Sequence, residues 1–132
     1  MNSLKLDHDL VRYTMLAIES SQNIRGPIED ELLENLSKYG EYDRNQIAYT
    51  IIKLKEAKYI TGDVRWGNNN PAIISPGNLT YDGHKFLDNI RDDGVWKNTK
   101  SILSKFSSVS LTLVSNVAAG VITQLIKNQM GM

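Results

Sequence analysis

Around Ala57 the spacing of apolar residues changes from a helical period to one close to two, and beyond Pro76 it changes back. Few small folds accommodate that order. Upstream of the change, three stretches carry helical patterning. The first opens at Asp7 or Asp9, either of which can cap backbone N–H groups. It presents Leu10, Tyr13, Met15 or Leu16 and Ile18 as far as about Glu19. Ser20 to Gly26 reads as a loop. Pro27 suits the first turn of a second helix, whose apolar face is Ile28, Leu32, Leu33 and Leu36 and whose stop is Gly40. A third helix is capped by Asp43 and buries Ile47, Ile51 and Leu54. Its opposite face carries Asn45, Tyr49, Ile52, Lys53 and Glu56.

Within the altered stretch, Tyr59, Ile60, Thr61, Val64 and Trp66 favour a strand, Gly67 to Pro71 is a turn cluster, and Ala72 to Ile74 is a second short strand. Thr80 then caps a helix reaching about Asp92, with Phe86, Leu87 and Ile90 inward. A further helix runs from Val95 to Phe106 with Trp96, Thr99, Ile102, Leu103 and Phe106. The fold class is therefore mainly α with a small β-hairpin (α+β). Three helices, a hairpin and a following helix predict a winged helix-turn-helix with a C-terminal helical extension, the third helix in the recognition position and the hairpin around Asn68 as the wing.

Three segments carry a family resemblance: Lys5 to Arg12, Leu79 to Asp92, and Val95-Trp96-Lys97. Through them the chain resembles a family of uncharacterised proteins common in phages, prophages and Gram-positive bacterial genomes. The resemblance implies a winged-helix-like N-terminal part and a mobile-element origin, and brings no catalytic residue.

Charge divides the chain. Its formal net charge is zero, but every acidic residue lies between Asp7 and Asp93, whereas Lys97, Lys100, Lys105 and Lys127 stand alone after Gly94. We therefore expect a winged helix-turn-helix domain over residues 1–93 and a C-terminal helical extension over 94–132 that serves oligomerisation. The absence of cysteine excludes disulfides, thiolate zinc sites and a cysteine nucleophile. Residues 1–10 contain charges and no continuous apolar run, so no signal peptide is expected and a cytoplasmic location is.

Enzymatic constellations are sparse. Asp7-His8-Asp9 reads as helix capping, because successive residues at a helix start diverge. His84 and Asp88 are i, i+4 neighbours able to share a hydrogen bond, but they make only half of a metal site. Gly62, Gly67 and Gly77 do not form a phosphate-cradling loop, and Glu29, Asp30, Glu31 and Glu34 read as a solvated helix start. Neither an enzyme nor a metal or cofactor is expected. Gly83 fits a close helix approach without chemistry.

Double-stranded DNA is the partner the third helix best fits. Arg44, Asn45, Gln46 and Tyr49 are suited to base edges, with Lys53, Arg65, Asn68, Asn69 and Asn70 reaching the backbone or an adjacent groove. A regulatory role is compatible with this. Residues 41–67 hold five basic against four acidic residues, however, so a single copy would bind weakly, and Glu56 repels phosphate. From Phe106 to Ile126 there are 21 uncharged residues. Eight of these are Ser, Thr, Asn or Gln, so they suit a membrane span poorly and a membrane partner is not expected. Leu111, Val114, Ala118, Val121, Ile122 and Leu125 instead form a seam of coiled-coil spacing, with Ser107, Ser108 or Ser110 as its cap. Pairing of that seam in a homodimer would double the phosphate contacts. The alternatives are fold-back onto the same chain, or an adaptor that uses the scaffold to bind a host or phage protein.

Overall fold

A computed structural model describes residues 5–131. Its elements are α1 (His8–Glu19), α2 (Glu29–Ser37), α3 (Arg44–Glu56), β1 (Asp63–Gly67), β2 (Asn70–Ser75), α4 (Tyr81–Ile90), α5 (Asp93–Leu103) and α6 (Leu111–Gln129). The protein is mainly helical with one two-stranded antiparallel sheet. It forms two compact units that part between His84 and Lys85, inside α4. The acid-free stretch starts ten residues later, at Gly94.

Local capping accounts for the helix starts. Asp7 accepts from the Leu10 N–H at 3.1 Å, Asp43 from Gln46 at 2.9 Å, Asp92 from Val95 at 2.9 Å and Ser110 from Leu113 at 3.1 Å. Each removes one orphan donor, worth about 1 kcal/mol. Helix α2 differs from the expected course. It begins at Glu29, two residues after Pro27, and its cap position is Ile28, whose side chain cannot accept a hydrogen bond and which stands 67% exposed. Burial of Pro27 and the close seating of Gly26 hold the chain extended there, so the apolar face of α2 contracts to Leu32 and Leu36, with Leu33 half-buried.

In the first unit α1 packs on α2 and α3, and the hairpin packs on α2 and α3. Leu10, Met15, Leu32, Ile51, Leu54 and Ile74 are fully buried. Each contributes roughly 1.5–3 kcal/mol of apolar transfer. The hairpin turn is tighter than the sequence reading: Asn68 and Asn69, at φ 51° and 66°, form a two-residue turn, and Asn70 and Pro71 already belong to β2. Two positive φ values are what the twist of a hairpin requires, and asparagine tolerates them. Below β1 and β2 the two chains stay joined through the Ile60–Leu79 bridge and the Thr61 N–H to Asn78 carbonyl bond at 3.0 Å. Gly83 brings α4 against the backbone of Tyr59, where a Cβ would lie 2.1 Å from the carbonyl oxygen.

In the second unit α5 packs along α6 and buries Trp96, Thr99, Leu103, Val114 and Ala118. Asn89 ties the end of α4 to Ser115 at 3.0 Å. The Thr99 hydroxyl is fully buried and has no hydrogen-bond partner among the described residues. Replacing it by an apolar isostere removes an uncompensated polar group, so Thr99→Val is expected to raise the stability of this unit by about 1 kcal/mol. Denaturant titration followed by Trp96 fluorescence, in a Trp66→Phe background, reads that change.

Candidate nucleic-acid interface

Helix α3 points two faces in different directions because its apolar residues recur at i, i+4 and i+7. Ile47, Ile51 and Leu54 are buried, Asn45, Gln46 and Glu56 are exposed, and Tyr49, Ile52 and Lys53 lie half-buried between them. Of the outward row expected from the sequence, Asn45 and Glu56 are exposed, and Tyr49, Ile52 and Lys53 are half-buried. Lys53 donates to Glu56 at 3.2 Å and sits 5.3 Å from the centre of the Tyr49 ring, so its charge is shared along the helix surface.

Arg44 departs from its expected base-reading role. Its Nε donates to Glu29 Oε2 at 2.8 Å and one terminal nitrogen donates to Glu29 Oε1 at 3.0 Å. The guanidinium also donates to the carbonyls of Pro71 and Ala72, the second at 3.1 Å. Glu29 in turn accepts from the Ile74 N–H at 2.9 Å. One carboxylate at the start of α2 and one guanidinium at the start of α3 thus clamp strand β2. The Arg44 hydrogen bond holds the Glu29 carboxyl below its ordinary range, helped by the Ile74 N–H and opposed by burial. The same pairing raises Arg44. Arg44 is a positioning residue here, whereas Asn45 and Gln46 are exposed and Tyr49 is half-buried.

On the hairpin, Arg65, Asn68, Asn69 and Asn70 are all exposed. Asn70 reaches the Asn68 carbonyl at 3.4 Å. An irregularity between Arg65 and Trp66 pairs Trp66 with Pro71, skipping Ala72. This puts Trp66 on the face that carries Val64, Pro71 and Ile74, yet it lies 58% exposed. Arg65 and Ile73 share the opposite face, where Ile73 is 48% exposed. Sequence reasoning took Trp66 only as a strand former and Glu29 as part of a solvated helix start, whereas Glu29 is bonded to Arg44 and the Ile74 N–H. The bulge depends on pairing, and the Glu29 contacts span 15 and 45 residues.

The other candidate constellations resolve into structure. Asp7 caps α1. His84 Nδ1 lies 3.7 Å from Glu19 rather than bonding Asp88, which pairs with Arg91 at 3.2 Å. Among the described residues no three His, Cys, Asp or Glu side chains could hold a metal together. No helix of these residues is long and apolar enough to cross a membrane. Of the C-terminal seam, Val114 and Ala118 are buried against the chain's own unit. Leu111, Val121 and Ile122 are half-buried, and Leu125 is 47% exposed.

A family model described as a hypothetical protein (DUF2513) matches residues 5–110. The chain belongs to this family. It is also similar to an uncharacterised protein of Haemophilus influenzae, with 29% identity over 124 residues, covering 93% of this chain and 99% of that one. No solved structure matches the DUF2513 chain.

Proposed function

We propose that this DUF2513 protein is a cytoplasmic winged-helix DNA-binding protein of phage or prophage type, dimerising through α6 and suited to a regulatory role. The observation that carries the reading is the outward face of α3 standing beside an exposed hairpin in the order helix, helix, hairpin. Asn45 and Gln46 supply groups that pair bidentately with adenine, and Tyr49 adds a phosphate or base contact. Arg65 and the turn asparagines would follow the neighbouring groove. With Arg44 committed to Glu29, phosphate neutralisation per copy is small, so a dimer is part of the proposal. The half of α6 beyond Ala118, where Leu125 and Ile126 are exposed, supplies its contact.

The test is a mobility shift of the full chain with genomic and phage DNA fragments at low salt. Retarded fragments that are released as salt rises support the reading. No retardation at any concentration below the micromolar range overturns it. The second reading is an adaptor that binds a host or phage protein, favoured by Trp66 and Ile73, whose apolar side chains stand out from a nearly neutral hairpin. Such a partner would protect Trp66 from oxidation where DNA does not.

A further inference from the structure

Every cation of α3 is engaged within the chain. Arg44 makes four hydrogen bonds, two to the Glu29 carboxylate and one each to the carbonyls of Pro71 and Ala72. A guanidinium has five N–H groups, so the two parallel donors that a guanine edge takes are no longer free on it. Lys53 donates to Glu56 at 3.2 Å, and Lys55 reaches the Thr61 carbonyl at 3.5 Å. The amides of the first turn are the opposite case. Asn45 and Gln46 are exposed, and among the described residues neither side-chain amide has a hydrogen-bond partner; the bonds of Gln46 run through its backbone N–H and carbonyl. Each therefore offers an open carbonyl oxygen beside an open NH2 group.

That pairing of acceptor and donor has one complement among the bases in the major groove. Adenine shows the N6 donor next to the N7 acceptor and takes both ends of an amide, whereas guanine shows two acceptors, O6 and N7, and leaves the amide oxygen facing a lone pair. We propose that α3 selects A·T over G·C base pairs, with Asn45 and Gln46 setting the preference and Arg44 withdrawn from guanine by its clamp on Glu29. The proposal rests on the DNA reading above and gives it a substrate class. Composition alone does not isolate the helix, because Arg65, exposed on the hairpin, suits a narrow A·T minor groove as well. Inosine–cytosine pairs separate the two contributions. They carry the major-groove acceptors of G·C and, lacking the N2 amino group, the minor-groove edge of A·T.

The test is equilibrium binding of the full chain, at low salt, to alternating A·T, G·C and I·C duplexes of equal length. The A·T duplex is expected to bind tightest. The I·C duplex is expected to fall to the level of G·C, at least about fivefold weaker, which is the least that one lost bidentate pair costs. Asn45→Ala/Gln46→Ala is expected to bring A·T down to the same level. Neither side chain is bonded within the chain, so circular dichroism is expected to stay that of the wild type; Gln46→Ala alone provides a second variant if it does not, and is expected to narrow the preference. Equal binding of the A·T and G·C duplexes, I·C binding as tight as A·T, or an undiminished A·T preference in the variants overturns the proposal and leaves the DNA reading standing. Binding to none of the three duplexes overturns the DNA reading, and base selection with it.

Discussion

Gly26→Ala is expected to destabilise the first unit by about 3 kcal/mol or more, enough to leave a marginal domain largely unfolded at physiological temperature. Two costs combine at this position. Its φ is +93°, where an L side chain is strained by about 1–3 kcal/mol. A Cβ there would stand 1.7 Å from the Gly77 carbonyl oxygen and 2.2 Å from its carbon. Both contacts are backbone, so no side-chain rotation relieves them, and overpacking of this kind adds about 1–3 kcal/mol. Nor can the loop swing away cheaply. The Asn78 amide donates to the Ile24 carbonyl at 2.5 Å, and the Gly26 N–H is held by Asn23 at 2.8 Å. Ile28→Ala, two residues on at an exposed site, serves as the control and is expected to change stability by less than about 0.5 kcal/mol. Urea titration of both variants measures the contrast.

Glu29→Ala is expected to cost about 2 kcal/mol and to loosen the hairpin from the helices. Deleting the carboxylate leaves the Ile74 N–H beside a buried side chain without its acceptor, a loss of about 1–3 kcal/mol, and releases Arg44 from its bidentate partner. The sign of the pH dependence follows from the lowered Glu29 pKa. A carboxylate held below its ordinary value contributes stability that is complete above that value, near 4.5, and is lost as pH falls through the lowered one. The wild-type protein is therefore expected to lose stability between about pH 4.5 and the lower folded value, and Glu29→Gln to flatten that part of the acid limb. Arg44→Ala breaks the same clamp from the other side. Its main effect is expected on hydrogen exchange of the β2 amides, with any change in DNA affinity following from the displaced hairpin. Unchanged exchange at Ile74 in this variant would contradict the clamp.

Much of the fold is written locally. Asp7 and Asp43 cap helices because a carboxylate three residues before an N–H needs no distant partner, and Ile47, Ile51 and Leu54 face inward because their spacing leaves no other shared face. Phe86, Leu87 and Ile90 are legible for the same reason. What the sequence does not disclose depends on distant chain. Ile28 fits a helical face by spacing, yet the seating of Gly26 against Gly77 delays α2 past it. Arg44 has the chemistry of a base reader, and only the arrival of Glu29 and strand β2 turns it inward. The seam of α6 is periodic whether its cover is another copy or the same chain. Burial of Val114 and Ala118 assigns its first half to the chain itself. The charge division at Gly94 does not coincide with the division of packing at His84, because charge follows exposure and compactness follows apolar contact.

The proposed binding of duplex DNA by the outward face of α3 is read by equilibrium binding of the full chain to the fragments it retains, with Asn45→Ala/Gln46→Ala beside the wild type. Both side chains are exposed, and each is capable of a bidentate base contact worth about 1–3 kcal/mol. A loss of affinity of about tenfold or more at about 50 mM salt is expected, with circular dichroism and oligomeric state unchanged and with little loss on non-specific DNA. Equal affinity of the double variant and the wild type for those fragments would contradict it.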